Sequence, residues 1–191
     1  TLNTHNSALN RVFDEAVVRG YMNCSYVPVL INMGRDSARR PDFSADEYRT
    51  LIRTLPSWID KGREGKSRDM RHLLRDYVLI LANTGIRHGT EADNLRWKHI
   101  TLFEEKGDVF LEMSVRCKTG RRGIICRSGT INYLKRIQAW CPDVADKSFE
   151  DLIKAKIDLP VFRLPYGTAS QNLRQTFKRL MIDAGLLNCP R

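Results

Sequence analysis

The residues best suited to chemistry are cationic and lie in two stretches. In Asn83-Thr84-Gly85-Ile86-Arg87-His88-Gly89-Thr90-Glu91, a glycine interrupts a helical run and an arginine follows it, beside the start of the next helix. An arginine there can offer a planar fork to a phosphate, and the free amides of the helix end add positive potential. Glu91, about one turn on, is placed to brace that guanidinium. The second stretch runs from Met113 to Pro142. It holds no acidic residue, while Arg116, Lys118, Arg121, Arg122, Arg127, Lys135 and Arg136 are all positive. A solvated face usually mixes signs, so one sign over this length points to phosphate contact. The whole chain agrees: 32 Lys+Arg against 22 Asp+Glu in 191 residues give a net charge of +10. That balance asks for an anionic partner, nucleic acid ahead of a membrane surface.

Other chemistries are poorly served. The five cysteines (Cys24, Cys117, Cys126, Cys141, Cys189) show no C-x-x-C spacing, and the four histidines form no H-x-x-x-H pair, so no metal is expected. The cysteines read as small hydrophobes in a reducing compartment, the cytoplasm. With 42% hydrophobic and 28% charged residues a buried core is attainable, and no apolar run is long enough for a membrane span.

The elements that must position these residues follow from periodicity. Leu9, Val12, Phe13, Ala16 and Val17 mark a helix over 6–21 that cannot bury its own stripe. Residues 34–41, polar and basic, read as a linker between a first domain (1–33) and a second (42–191). Ser44 and Glu47 fit a capping box opening a helix that Pro56 is expected to end. Residues 61–68 read as a basic loop. Leu73, Tyr77, Val78 and Leu81 line a longer helix over 68–83, which Gly85 terminates in a left-handed cap. A short helix around 90–96 follows. Leu111, Met113 and Val115 then alternate with Phe110, Glu112 and Ser114, a strand pattern. With Ile124-Ile125-Cys126 they make a hairpin whose tip, Lys118 to Gly123, is basic. Helices resume over 129–140 and 170–184, the last stopped by Gly185. The expected fold is mainly α with a small antiparallel β-sheet.

In this order the motifs resemble the tyrosine recombinases (phage-type integrases). Thr84-Gly85-Ile86-Arg87, then Glu91, then Leu95-Arg96-Trp97 is similar to the family's first conserved box, with one extra residue between Arg87 and Glu91 relative to the commonest spacing. Phe43-Ser44-x-x-Glu47-Tyr48 is similar to the opening of its catalytic domain, and Lys118-Thr119-Gly120-Arg121 to its β-hairpin lysine motif. The helix over 6–21, with Arg19-Gly20-Tyr21, is similar to the end of the preceding core-binding domain. The resemblance spans about residues 6–191. It implies breakage and rejoining of duplex DNA through a 3′-phosphotyrosyl intermediate, by a homo-tetramer on two sites, without metal or cofactor. Arg87 would be the first clamping arginine, Glu91 its brace and Lys118 the general acid, while Arg121 and Arg122 would bind DNA. When bound to DNA the protein would lie on the nucleoid.

The family also needs a His-x-x-Arg box and a later tyrosine. His72-Leu73-Leu74-Arg75 spells the box but precedes Arg87, in a helix whose stripe is core, and is rejected. Gln171-Asn172-Leu173-Arg174-Gln175-Thr176-Phe177 echoes it with both histidines replaced, which would make Arg174 the second clamp. The preferred reading makes residues 172–187 the helix before the box and expects the box and nucleophile beyond Arg191. On either reading no tyrosine in this chain is the nucleophile, and the chain is not expected to cleave DNA. Two alternatives stay open: a catalytically inactive DNA-binding regulator on the same fold, and an unrelated helical nucleic-acid-binding module.

Overall fold

A computed structural model describes residues 2–31, 42–117, 120–167 and 172–187. The chain divides into two compact units, residues 1–42 and 43–191. The expected linker, residues 34–41, lies outside the described residues.

The first unit is α1 (Leu2–Val18) followed by a single 3-10 turn, Cys24–Tyr26. The chain folds back at the end of α1, where the amides of Tyr21 and Met22 both donate to the Ala16 carbonyl at 2.8 and 3.2 Å. Leu9, Val12, Val18, Tyr21, Tyr26, Val29 and Ile31 are exposed. An amphipathic stripe on one helix has no partner surface of its own to close on.

The second unit opens at α2 (Ala45–Asp60) with the expected capping box: Ser44 Oγ accepts from the Glu47 amide at 3.2 Å, and Glu47 Oε2 accepts from the Ser44 amide at 2.8 Å. Pro56 does not end this helix, which continues to Asp60. A proline inside a helix costs about 3 kcal/mol. The extra turn buries Trp58 and Ile59, each 3% exposed, at about 1.5–3 kcal/mol or more apiece. Trp58 Nε1 also donates to Asp183 Oδ2 at 2.7 Å. Packing therefore outweighs the local penalty.

Helix α3 (Lys66–Thr84) starts two residues earlier than its apolar period suggests, inside the expected loop. It is the central element and packs against α2, against α5 (Gly129–Trp140) and against α7 (Leu173–Asp183). Gly85 closes it in the left-handed region, φ 70°, with its amide on the Leu81 carbonyl. After the short α4 (Thr90–Asp93) come β1 (Ile100–Glu105), β2 (Asp108–Cys117) and β3 (Gly120–Cys126), an antiparallel sheet in the order β1-β2-β3. The mixed fold, mainly helical with one small sheet, is the one expected. Leu111, Met113 and Val115 are buried on the face that meets the helices. In β2–β3, Cys117 pairs with Gly120; Lys118 and Thr119, which join them, lie outside the described residues.

Two elements are additions to the expected set. Strand β1 pairs Glu105 with Asp108 across a two-residue turn, Lys106 and Gly107, both at positive φ. Helix α6 (Phe149–Lys154) is capped by Ser148, whose Oγ accepts from the Asp151 amide at 3.0 Å, and packs on β1. Cys126 and Cys141 are buried, and burial pushes the Cys126 thiol up to about 12. Among the described residues no helix is long and apolar enough to cross a membrane.

Candidate nucleic-acid interface

The turn after α3, the short α4 and the β2–β3 hairpin enclose a cleft of about 690 Å³. Among the described residues that line it, Arg87, Arg96, Lys98, Arg116 and Arg121 stand against one carboxylate, Glu91. Arg87 and Arg121, singled out from the two basic stretches, therefore share one wall-to-wall space.

Each cation is held differently. Arg96 and Lys98 converge on Asp158, with Nη1 and Nζ at 3.0 and 2.9 Å from its two carboxylate oxygens. The Lys98 hydrogen bond is the largest of the effects that hold the Asp158 carboxyl below its usual range. Arg116 and Arg121 have no ion pair among the described residues, yet they are direct partners across the β2–β3 ladder. Like charges directly opposite each other destabilise a sheet pair. The Arg87 side chain is 78% exposed, and its Nη1 stands 3.9 Å from Glu91 Oε1, a loose contact that leaves the fork open to solvent. Three arginines are thus carried at the cleft with their charge largely unneutralised.

Glu91 itself is 3% exposed. Its Oε2 accepts from the Arg87 backbone amide at 3.0 Å and from Arg122 Nη2 at 2.8 Å, and Oε1 is buried without a hydrogen bond. The Arg122 bond, then the Arg87 amide, hold this carboxyl below the ordinary range against the opposing effect of burial. Glu91 thus braces the turn at Arg87 mainly through the backbone. Arg122, expected with Arg121 to bind DNA, donates from Nη2 to Glu91 and to the Gly85 carbonyl at 3.1 Å, while its side chain stays 40% exposed. Alternation along β3 sends the two neighbouring arginines to opposite faces.

Two histidines complete the cleft. His99 accepts from the Arg96 amide at Nδ1, 3.3 Å. Burial, then the charges of Lys98 and Arg121, press its pKa below the usual value. His88 Nδ1 lies 2.7 Å from the Tyr77 hydroxyl, whose own pKa burial pushes up to about 12.

Lys118 lies outside the described residues; its strand neighbours Cys117 and Arg121 line the cleft. Arg174 is not brought there. It lies on α7 at a separate apolar groove of about 360 Å³, with Phe43, Leu74, Val78, Leu81 and Phe177. His72 packs against Trp140 with ring centroids 5.8 Å apart, and Arg75 pairs with the buried Asp76, so that motif serves the α3–α5 contact. Sequence reasoning did not single out Arg96, Lys98 or His99. The alternation around the buried Trp97 is a local signal for them, and Asp158, the partner of Arg96 and Lys98, is some 60 residues away.

No protein-family model matches the chain, and no curated protein or solved structure matches it either.

Proposed function

We propose that this chain binds the sugar–phosphate backbone of duplex DNA in the cleft, and that it is part of a site-specific recombinase similar to the tyrosine recombinases. One observation carries the reading. Arg87, Arg116 and Arg121 line a common cleft with their charges largely unpaired, and two of them face each other across a ladder where repulsion works against the fold. An arrangement that costs stability without a bound anion, and is relieved by one, is what a phosphate site requires.

In that role Arg87 is the clamp on a non-bridging oxygen, since its guanidinium is exposed while its backbone is fixed by Glu91. Phosphoryl transfer rests on positioning and on neutralising charge that develops on those oxygens, and a rigid turn carrying a free fork supplies both. Lys118 takes the general-acid role that the resemblance implies, and the parent enzyme acts as a tetramer. A second reading, a DNA-binding regulator that does not cut, draws support from a specific feature: no tyrosine is among the described residues that line the cleft.

The test is fluorescence anisotropy with a labelled duplex over a salt series. Three phosphate contacts give a log–log slope of about −2.7, at about −0.9 per contact. A slope near zero, or no binding, refutes the DNA reading. On a nicked duplex this chain is expected to form no covalent adduct; a stable protein–DNA adduct would place a working tyrosine within it.

A further inference from the structure

We propose that Arg122 is a positioning residue that holds the Arg87 turn against the β2–β3 hairpin through Glu91, and is not itself a DNA contact. This rests on the DNA-binding reading above and goes beyond it, since the guanidinium of Arg122, although its side chain is 40% exposed, is then engaged by acceptors of the protein itself. Its Nη2 donates to two acceptors from different segments: the Gly85 carbonyl at the end of α3, 3.1 Å, and Glu91 Oε2 on α4, 2.8 Å. The same Oε2 takes the Arg87 amide at 3.0 Å. One buried carboxylate oxygen therefore ties the backbone of the clamp to a side chain of the hairpin.

The alternative, in which Arg122 swings out to a phosphate, has a cost that its neighbour Arg121 does not face. Glu91 is 3% exposed and its Oε1 already lacks a hydrogen bond. Removing Arg122 would leave a buried carboxylate with little beyond one amide and a guanidinium 3.9 Å away. A buried charge stripped of its partner costs far more than an exposed ion pair returns. Arg121 gives up no partner among the described residues when it meets an anion. The two adjacent arginines thus divide the work: one faces the ligand and the other sets the distance between the two walls of the cleft.

The experiment measures duplex binding over a salt series for the wild-type chain, Arg122→Gln, Arg121→Gln, Glu91→Gln, Arg87→Gln and the Arg87→Gln/Arg122→Gln double variant. Arg122→Gln is expected to weaken binding about three- to tenfold, and to have no further effect once Arg87 is gone, because contacting residues in one network couple. Arg121→Gln lowers the slope by about 0.9. Glu91→Gln, which leaves no buried charge unpaired, is expected to weaken binding even though it removes a negative charge from a cationic cleft. An equal loss with and without Arg87, or tighter binding by Glu91→Gln, overturns the proposal. Amide hydrogen exchange needs no DNA: Arg122→Gln and Glu91→Gln should each speed exchange at the Arg87 amide about tenfold. Unchanged exchange in both overturns the positioning role. Failure of the wild-type chain to bind duplex, with exchange responding as stated, overturns the DNA reading and leaves the strut in place.

Discussion

Replacing Arg121 by glutamine separates what the cleft does from what the fold prefers. Arg121 stands directly opposite Arg116 across β2–β3, and neither has a counter-ion among the described residues. Cross-strand charge pairs of this kind are worth about 0.2–1 kcal/mol, with the sign here unfavourable. Taking about 0.5 kcal/mol, and about 2–4 °C per kcal/mol for a unit of this size, Arg121→Gln should melt about 1–2 °C higher than the wild-type chain. Binding should move the other way. With three phosphate contacts, affinity for duplex DNA falls about 40-fold between 50 and 200 mM salt, and with two contacts about 12-fold. Thermal melts followed by circular dichroism and anisotropy titrations at several salt concentrations read both effects on one preparation. A variant that melts lower would show that the Arg116–Arg121 pair is not a repulsive contact, and one that keeps the wild-type salt dependence would show that Arg121 meets no phosphate.

Other consequences concern the scaffold. Trp58→Phe removes the indole bond to Asp183 and part of the packing beneath α2, and should cost about 1–2 kcal/mol by urea unfolding; a neutral result would mean that the turn beyond Pro56 is not held by this residue. Ser44→Ala removes the hydroxyl that caps α2 and should cost about 1 kcal/mol by the same measurement. The pH dependence carries a definite sign. The folded Glu91 pKa lies below its ordinary 4.5, so the unfolded chain binds more protons as acid is added. The stability Glu91 contributes is complete above 4.5 and is lost as pH falls through the lower folded value. Glu91→Gln should flatten that part of the profile, and identical acid slopes for the two proteins would contradict the account.

What the sequence made legible was local. The Ser44–Glu47 box, the left-handed cap at Gly85 and the alternation of Leu111, Met113 and Val115 are each decided within a turn or a few strand residues, and each appears in the structure. Strand β1 was obscured because it is an edge strand with Glu104 and Glu105 at its end; the Lys106-Gly107 turn was its available signal. Pro56 misled because Trp58 and Ile59 belong to a core assembled from distant segments, which local propensity does not register. The site follows the same division. Arg87 and Glu91 are four residues apart, and their association was readable. The link from Glu91 to Arg122 crosses 31 residues and that from Arg96 to Asp158 crosses 62, so which arginines are tied down and which are free depends on the tertiary fold.

The central claim, that Arg87, Arg116 and Arg121 meet one phosphate-bearing strand together, is tested most directly by following the arginine Nε–Hε resonances while duplex DNA is titrated in. The account predicts that these three signals move with a single dissociation constant while that of Arg122 stays near its free position. Shifts confined to α7 or to the apolar groove, with the three cleft arginines unmoved, would contradict it.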